Sequence, residues 1–174
     1  MKIRTSFVTN SSSSSFIVAF DKIPETVEEL RKMMFPKGET EFHHPYPDIY
    51  AGNEYFPVEE IVEQVFKDLQ EQKPLTNKEA IKEAASGYFA GYPDMDWLIG
   101  HNENETIEER QERWRLYDKM VEEAAEEFAQ PFLSRNYNKK LFKFEYSDND
   151  GPFFVLMEHG GIFDYMDYLI ISRH

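Results

Sequence analysis

The spacing of apolar and polar residues changes along the chain, and the changes mark out its elements. Near the N-terminus, Ile3 to Val8 and Phe16-Ile17-Val18-Ala19-Phe20 are short, β-prone apolar runs separated by a polar hinge, Thr9 to Ser14. They predict two strands or one interrupted strand. Thr26 is a helix-capping residue, and behind it Val27, Leu30 and Met34 share one face of a short helix that reaches about Phe35 before Pro36 and Gly38 stop it. After Pro57, which suits a first helical position, Val58, Ile61, Val62, Val65, Phe66 and Leu69 recur at helical spacing until Pro74. Thr76 with Glu79 and Thr106 with Glu109 are capping-box signatures. The first opens a helix carrying Ala80, Ile81, Ala84, Ala85 and Tyr88. The second opens the longest predicted helix, with Ile107, Trp114, Tyr117, Val121, Ala124 and Phe128 on one stripe and Pro131 expected to end or kink it.

After Asn136 the period shortens to two. Leu141 to Tyr146 and Phe153 to Met157 flank Ser147-Asp148-Asn149-Asp150-Gly151, which predicts a hairpin with an Asp-Gly turn, and Tyr168 to Ile171 predicts a last strand. Strands at both ends with helices between them predict a single α+β domain spanning residues 1–174. In it a small antiparallel sheet, formed by N-terminal and C-terminal strands, carries three to four helices from the middle of the chain on one face. Residues 36–56 and 91–105 mix Pro, Gly, Asn and aromatics without a period and are expected as ordered loops or mobile flaps.

Composition adds an aromatic-rich core to this outline, because 15 Phe, 10 Tyr and 2 Trp among 174 residues supply large apolar areas to bury. Charge narrows the partners. With 19 Lys and Arg against 33 Asp and Glu the net charge is −14, which argues against direct nucleic-acid binding and favours a basic protein as partner. The absence of cysteine removes disulfide scaffolds, thiolate catalysis and cysteine-ligated metals, and no other signature calls for a metal or cofactor. The longest apolar runs have five residues each, far short of the roughly 20 that span a bilayer. Lys2 and Arg4 are followed by the polar run Thr9 to Ser15 where a signal peptide carries its apolar region, so a cytoplasmic location is expected.

Phe7-Val8-Thr9-Asn10, five serines and Phe16 form the most unusual segment of the chain. This opening resembles that of a set of uncharacterised phage, prophage and bacterial proteins that begin with a basic, Phe-Val-x-Asn, poly-serine, Phe-Ile/Val run. Glu145 to Gly151, Glu158-His159-Gly160 and Ile171 to His174 are similar to endings in the same set. The resemblance implies a phage or mobile-element accessory protein and carries no activity with it.

Chemistry-bearing residues fall into separate groups. Asn10 with Ser11, Ser12 and Ser13 offers backbone donors and hydroxyls that could form an anion nest or present a nucleophile, or simply a polar connector before a strand. A P-loop is excluded, since the segment lacks glycine and no helix follows. Asp148, Asp150, Glu158, His159 and His174 are types that bind ligands or exchange protons. Joined to the serines, with His159 or His174 as base, they would make a small hydrolase or a ligand- or metal-binding protein. Their plainer reading is turn chemistry and surface polarity, with Glu158 and His159 on opposite faces of a strand. His43-His44 reads as solvent-exposed loop. A third group is electrostatic: Glu122, Glu123, Glu126 and Glu127 repel at helical spacing and make either a solvated face or a surface for a basic partner. Tyr50, Tyr55 and Trp97 are the aromatic candidates for the same contact, in place of covering a core edge. The best-supported expectation is an acidic interaction protein that binds a basic host or phage protein.

Overall fold

The computed structural model describes residues 13–48, 52, 54–88 and 105–172. Its centre is β1 (Ser13–Phe20), paired antiparallel on one side with β4 (Lys140–Ser147) and on the other with β5 (Asp167–Ser172), giving the sheet order β4-β1-β5. In this register Phe16 faces Phe144 and Val18 faces Phe142, while Ile17 lies opposite Leu169; a shift between Ser15 and Phe16 interrupts the β5 pairing. The fold is α+β, with strands from both ends of the described chain in one antiparallel sheet.

Five helices among the described residues cover this sheet on both faces, where packing on one face is the expectation from sequence. β1 shows why. Its apolar run has no polar alternation, so both sets of side chains need cover. Phe16, Val18 and Phe20 enter the larger core with α1 (Val27–Met34), α2 (Val58–Gln70) and α5 (Pro152–His159). Ile17 and Ala19 enter a second cluster with Ala80 and Ala84 of α3 (Asn77–Tyr88) and Ala125, Ala129, Phe132 and Leu133 of α4 (Ile107–Arg135). The facing alanines let α3 and α4 approach closely over the small second core.

Local signals place most elements. Thr26 accepts from the Glu29 amide at the start of α1, and capping boxes begin α3 at Thr76 and α4 at Thr106. β2 (Glu41–His43) and β3 (Tyr55–Pro57) pair as a small second sheet within the segment expected as a loop, and Val58 N–H bonds to Thr40 O at the start of α2. Residues 1–12, including the predicted strand Ile3 to Val8, and the predicted loop residues 91–104 lie outside the described residues.

The predicted hairpin is not formed. Residues 148–150 make a single 3-10 turn after β4, and the run expected as its partner strand is helix α5. Gly151, at φ +99°, turns the chain, and Pro152 supplies a first helical position with its φ preset. Val155, Leu156, Met157 and Glu158 are all buried, and four consecutive residues point in every direction around a helix. A five-residue apolar run without period fits such an enclosed helix as well as a strand, so periodicity could not separate them.

Pro131 does not end α4, which continues to Arg135. There the Arg135 guanidinium makes a bidentate pair with Asp167 at 2.7 and 2.8 Å, and Asn136 Nδ2 donates to both Phe132 O and Asp167 Oδ2, tying the helix to the start of β5. The predicted stripe of α4 is not its buried face: Ile107 and Trp114 are exposed, Tyr117 and Val121 are half-buried, and the fully buried residues are the offset set Ala125, Ala129, Phe132 and Leu133 near the C-terminal end. Phe128 and Ala124 are half-buried at its margin.

Burial sets the expected mutational contrast. Leu156→Ala, at a fully enclosed site, is expected to lower stability by about 2–5 kcal/mol, while Leu116→Ala, 47% exposed on α4, should change it by less than about 0.5 kcal/mol in urea unfolding. Similar losses at both positions would contradict the packing described.

Candidate functional site

Alternation along β1 directs Ser14, with Phe16 and Val18, toward the larger core, where the C-terminal turn of α5 delivers Glu158. Ser14 Oγ donates to Glu158 Oε1 at 3.4 Å; the two residues are 1% and 3% exposed. His159 Nε2 lies 3.4 Å from the same carboxylate oxygen with its side chain 27% exposed. Residues 144 positions apart thus meet in the order serine, acid, histidine, with the acid in the middle. Ser14 gives its hydroxyl proton to a buried carboxylate, a geometry that anchors the hydroxyl within the core edge.

Aromatic and imidazole rings close the outer side of this junction. Tyr46 stands edge-on to His159, with centroids 5.6 Å apart. The Tyr46 amide donates to His44 Nδ1 at 3.0 Å, which leaves Nε2 as the N–H that meets Pro152 O at 3.0 Å. His44 is fully buried, where an exposed loop residue is expected from sequence; His43 beside it is exposed. Adjacent positions diverge, and one of the two rings found backbone partners inside.

The remaining sequence candidates separate. Ser13 lies on β1 opposite Ser147, Asp148 is half-buried in the 3-10 turn with its Oδ1 lacking a hydrogen-bond partner among the described residues, and Asp150 is exposed. Glu158 and His159 sit together on a helix in place of opposite strand faces. Asn10, Ser11, Ser12, Tyr50, Trp97 and His174 lie outside the described residues. Among the described residues no group of three or more His, Asp or Glu side chains is placed to hold a metal ion, and no helix is long and apolar enough to cross a membrane.

The electrostatic candidates lie on α4. Glu122, Glu123, Glu126 and Glu127 are all exposed; Lys119 approaches Glu123 at 3.6 Å, and the other three make no ion pair among the described residues. At about 100° per residue, Glu112, Glu123 and Glu127 lie on the side of the helix away from Ala125, Ala129 and Phe132, Glu108 and Glu126 lie on its flank, and Glu122 lies near the line of Ala129 and Leu133. Trp114, Leu116 and Met120 are exposed on the same helix, and Tyr55 is exposed on β3. At the start of α4, Glu105 receives Arg113 at 2.8 and 3.0 Å and Arg110 at 3.1 Å. The Arg113 hydrogen bonds are the main cause that holds the Glu105 carboxyl down to about 2, against the opposing effect of burial.

A cleft that the sequence did not indicate lies between α2 and β4. It encloses about 460 Å³ and is lined by Gln64, Asp68 and Glu71 on one side and by Lys143, Glu145 and Tyr146 on the other. Tyr146 Oη donates to Asp68 Oδ2 at 3.1 Å, and Gln64 Nε2 to Oδ1 at 2.8 Å. Burial raises the Asp68 pKa against those hydrogen bonds; burial, then the Asp68 charge, pushes the Tyr146 phenol well up. Burial opposes the charge of Lys143, but Glu83 at 2.9 Å and Glu145 at 3.0 Å outweigh it and keep the ammonium above its usual range. Asp68 and Tyr146 are 78 positions apart, on elements of different period, so no local signal could join them.

No protein-family model, curated protein or solved structure matches the chain.

The Glu105 clamp has a defined pH signature. Its carboxyl has a lowered folded pKa, so its contribution is present above the unfolded value near 4.5 and is lost as pH falls toward 2. Carboxyl titration by NMR is expected to place Glu105 near 2 in the native chain and to move it toward 4.5 in Arg113→Ala. A native midpoint near 4.5 would contradict the clamp.

Proposed function

We propose that the protein is an acidic accessory protein, of the phage or mobile-element type its chain ends resemble, that binds a basic protein through helix α4. The observation that carries this reading is the run of exposed carboxylates on α4, where Glu122, Glu126 and Glu127 make no ion pair among the described residues while Trp114, Leu116 and Met120 stand exposed on the same helix. Carboxylates in that arrangement steer a cationic partner, and the apolar side chains supply area to bury once it arrives. A net charge of −14 gives the whole chain the same preference.

A fluorescent oligolysine peptide is a direct probe. Its affinity is expected to fall at least about tenfold when Glu122, Glu123, Glu126 and Glu127 are all changed to Gln, and to fall with added salt in the native chain more steeply than in the variant. Equal affinities would remove the helix from the reading.

A second reading draws on the meeting of Ser14, Glu158 and His159: a small hydrolase or ligand-binding protein with a polar site at the junction of the chain ends. Thermal unfolding against a panel of nucleotides and divalent cations separates it from the first. Ligand at about 100 times its Kd adds about 2.7 kcal/mol of stability, a rise of several degrees that His159→Ala should abolish. No shift with any member of the panel leaves the acidic-binder reading alone.

A further inference from the structure

Among the described residues β4 is an edge strand. β1 takes one side of it, and on the other side these residues supply a single rung: Leu75 N–H donates to Leu141 O at 2.7 Å before Thr76 turns into α3. In an antiparallel strand the N–H and C=O of one residue point the same way and alternate at the next. The Leu75 rung therefore fixes the direction of the following groups: Lys143 and Glu145, like Leu141, turn their backbone N–H and C=O away from β1. No backbone or side-chain group among the described residues bonds to them there. The space they face is the cleft of about 460 Å³ walled by α2.

We infer that this edge is a docking site for an extended, basic segment of a partner protein, which continues from the Leu75 rung as an added strand. Backbone geometry makes a strand the occupant, because Lys143 to Tyr146 extends about 10 Å and presents ladder groups at the spacing of a β pair. Charge makes it a basic one. Asp68 and Glu71 form the α2 wall and Glu145 the floor, while the cation of Lys143 is already shared between Glu83 and Glu145. An added strand directs alternate side chains toward α2 and toward α3, so lysines or arginines on one set reach Asp68 and Glu71 and those on the other reach Glu83. Charged side chains at 143 and 145 are the usual guard against indiscriminate edge pairing. Here the surrounding carboxylates convert the guard into a selection for positive strands. This inference rests on the reading of the protein as a binder of basic partners and adds a surface distinct from α4.

The test uses the full chain, isotope-labelled, with three capped peptides: alternating Lys and Val, the same sequence N-methylated at alternate backbone positions, and alternating Glu and Val. The Lys-Val peptide is expected to shift the Lys143 and Glu145 amides and slow their hydrogen exchange at least about tenfold. N-methylation should weaken binding at least about tenfold, because it removes ladder hydrogen bonds and keeps every charge. The Glu-Val peptide should not bind. Equal binding of the N-methylated peptide, or protection confined to α4, would overturn the edge site and leave the α4 reading standing. Failure of the Lys-Val peptide to bind, while oligolysine still binds and responds to the Gln variant of α4, would overturn the edge alone. Loss of both responses would overturn both.

Discussion

Every layer of this structure is organised by the need to bury β1 completely. A strand in which Phe16 to Phe20 are all apolar cannot show either face to water, and its position between β4 and β5 satisfies its backbone on both edges. Because Phe16, Val18 and Phe20 point one way and Ile17 and Ala19 the other, two cores are required. The large side chains draw in α1, α2 and α5, whose Leu, Val, Ile and Met residues match them in volume. The smaller face accepts the alanine-lined contact of α3 and α4.

That division also distributes the polar chemistry. Where β1 leaves its apolar run, Ser14 continues the inward face and meets Glu158, so the first polar position on that face becomes the polar end of the larger core. Tying Arg135 and Asn136 to Asp167 secures α4 to the sheet by its C-terminal end, while Trp114 and Leu116 in its first half and Glu122, Glu123, Glu126 and Glu127 beyond them stay exposed. The sheet has only three strands, so core and periphery meet in one of them: β4 lends Phe142, Phe144 and Tyr146 to the larger core and, among the described residues, still presents unpaired ladder groups near the Asp68 carboxylate. The two proposed docking surfaces, on α4 and at the β4 edge, are both rich in carboxylates; side-chain charge would hold a partner at the first and backbone pairing at the second.

Much of the element pattern was legible in the residues. The caps at Thr26, Thr76 and Thr106 act through hydrogen bonds three residues away, and the apolar stripe of α2 needs only its own spacing to be read. The failures share a cause. Phe153 to Met157 has no period to read, and only the surroundings that enclose it decide that it is a helix. Pro131 removes one hydrogen bond from α4, a loss that the burial of Ala129 before it and of Phe132 and Leu133 after it offsets. His44 reads as an exposed loop residue and is a buried one, because its two backbone partners, Tyr46 N–H and Pro152 O, are defined by the path of the chain. Tyr146 and Asp68, or Ser14 and Glu158, belong to elements that are each complete without the other.

The sequence by itself determined the α+β class, the antiparallel joining of N-terminal and C-terminal strands, the capped helix starts and a strongly negative surface, because these depend on hydrogen bonds and side-chain spacing within a few residues or on composition. Tertiary structure alone decided that the sheet is covered on both faces, that α5 is a helix, that Glu158 lies between Ser14 and His159, and that the β4 edge opens into an acidic cleft. Those outcomes depend on which distant surfaces exclude water from one another, and burial between segments far apart in the chain has no signature at the spacing of neighbouring residues.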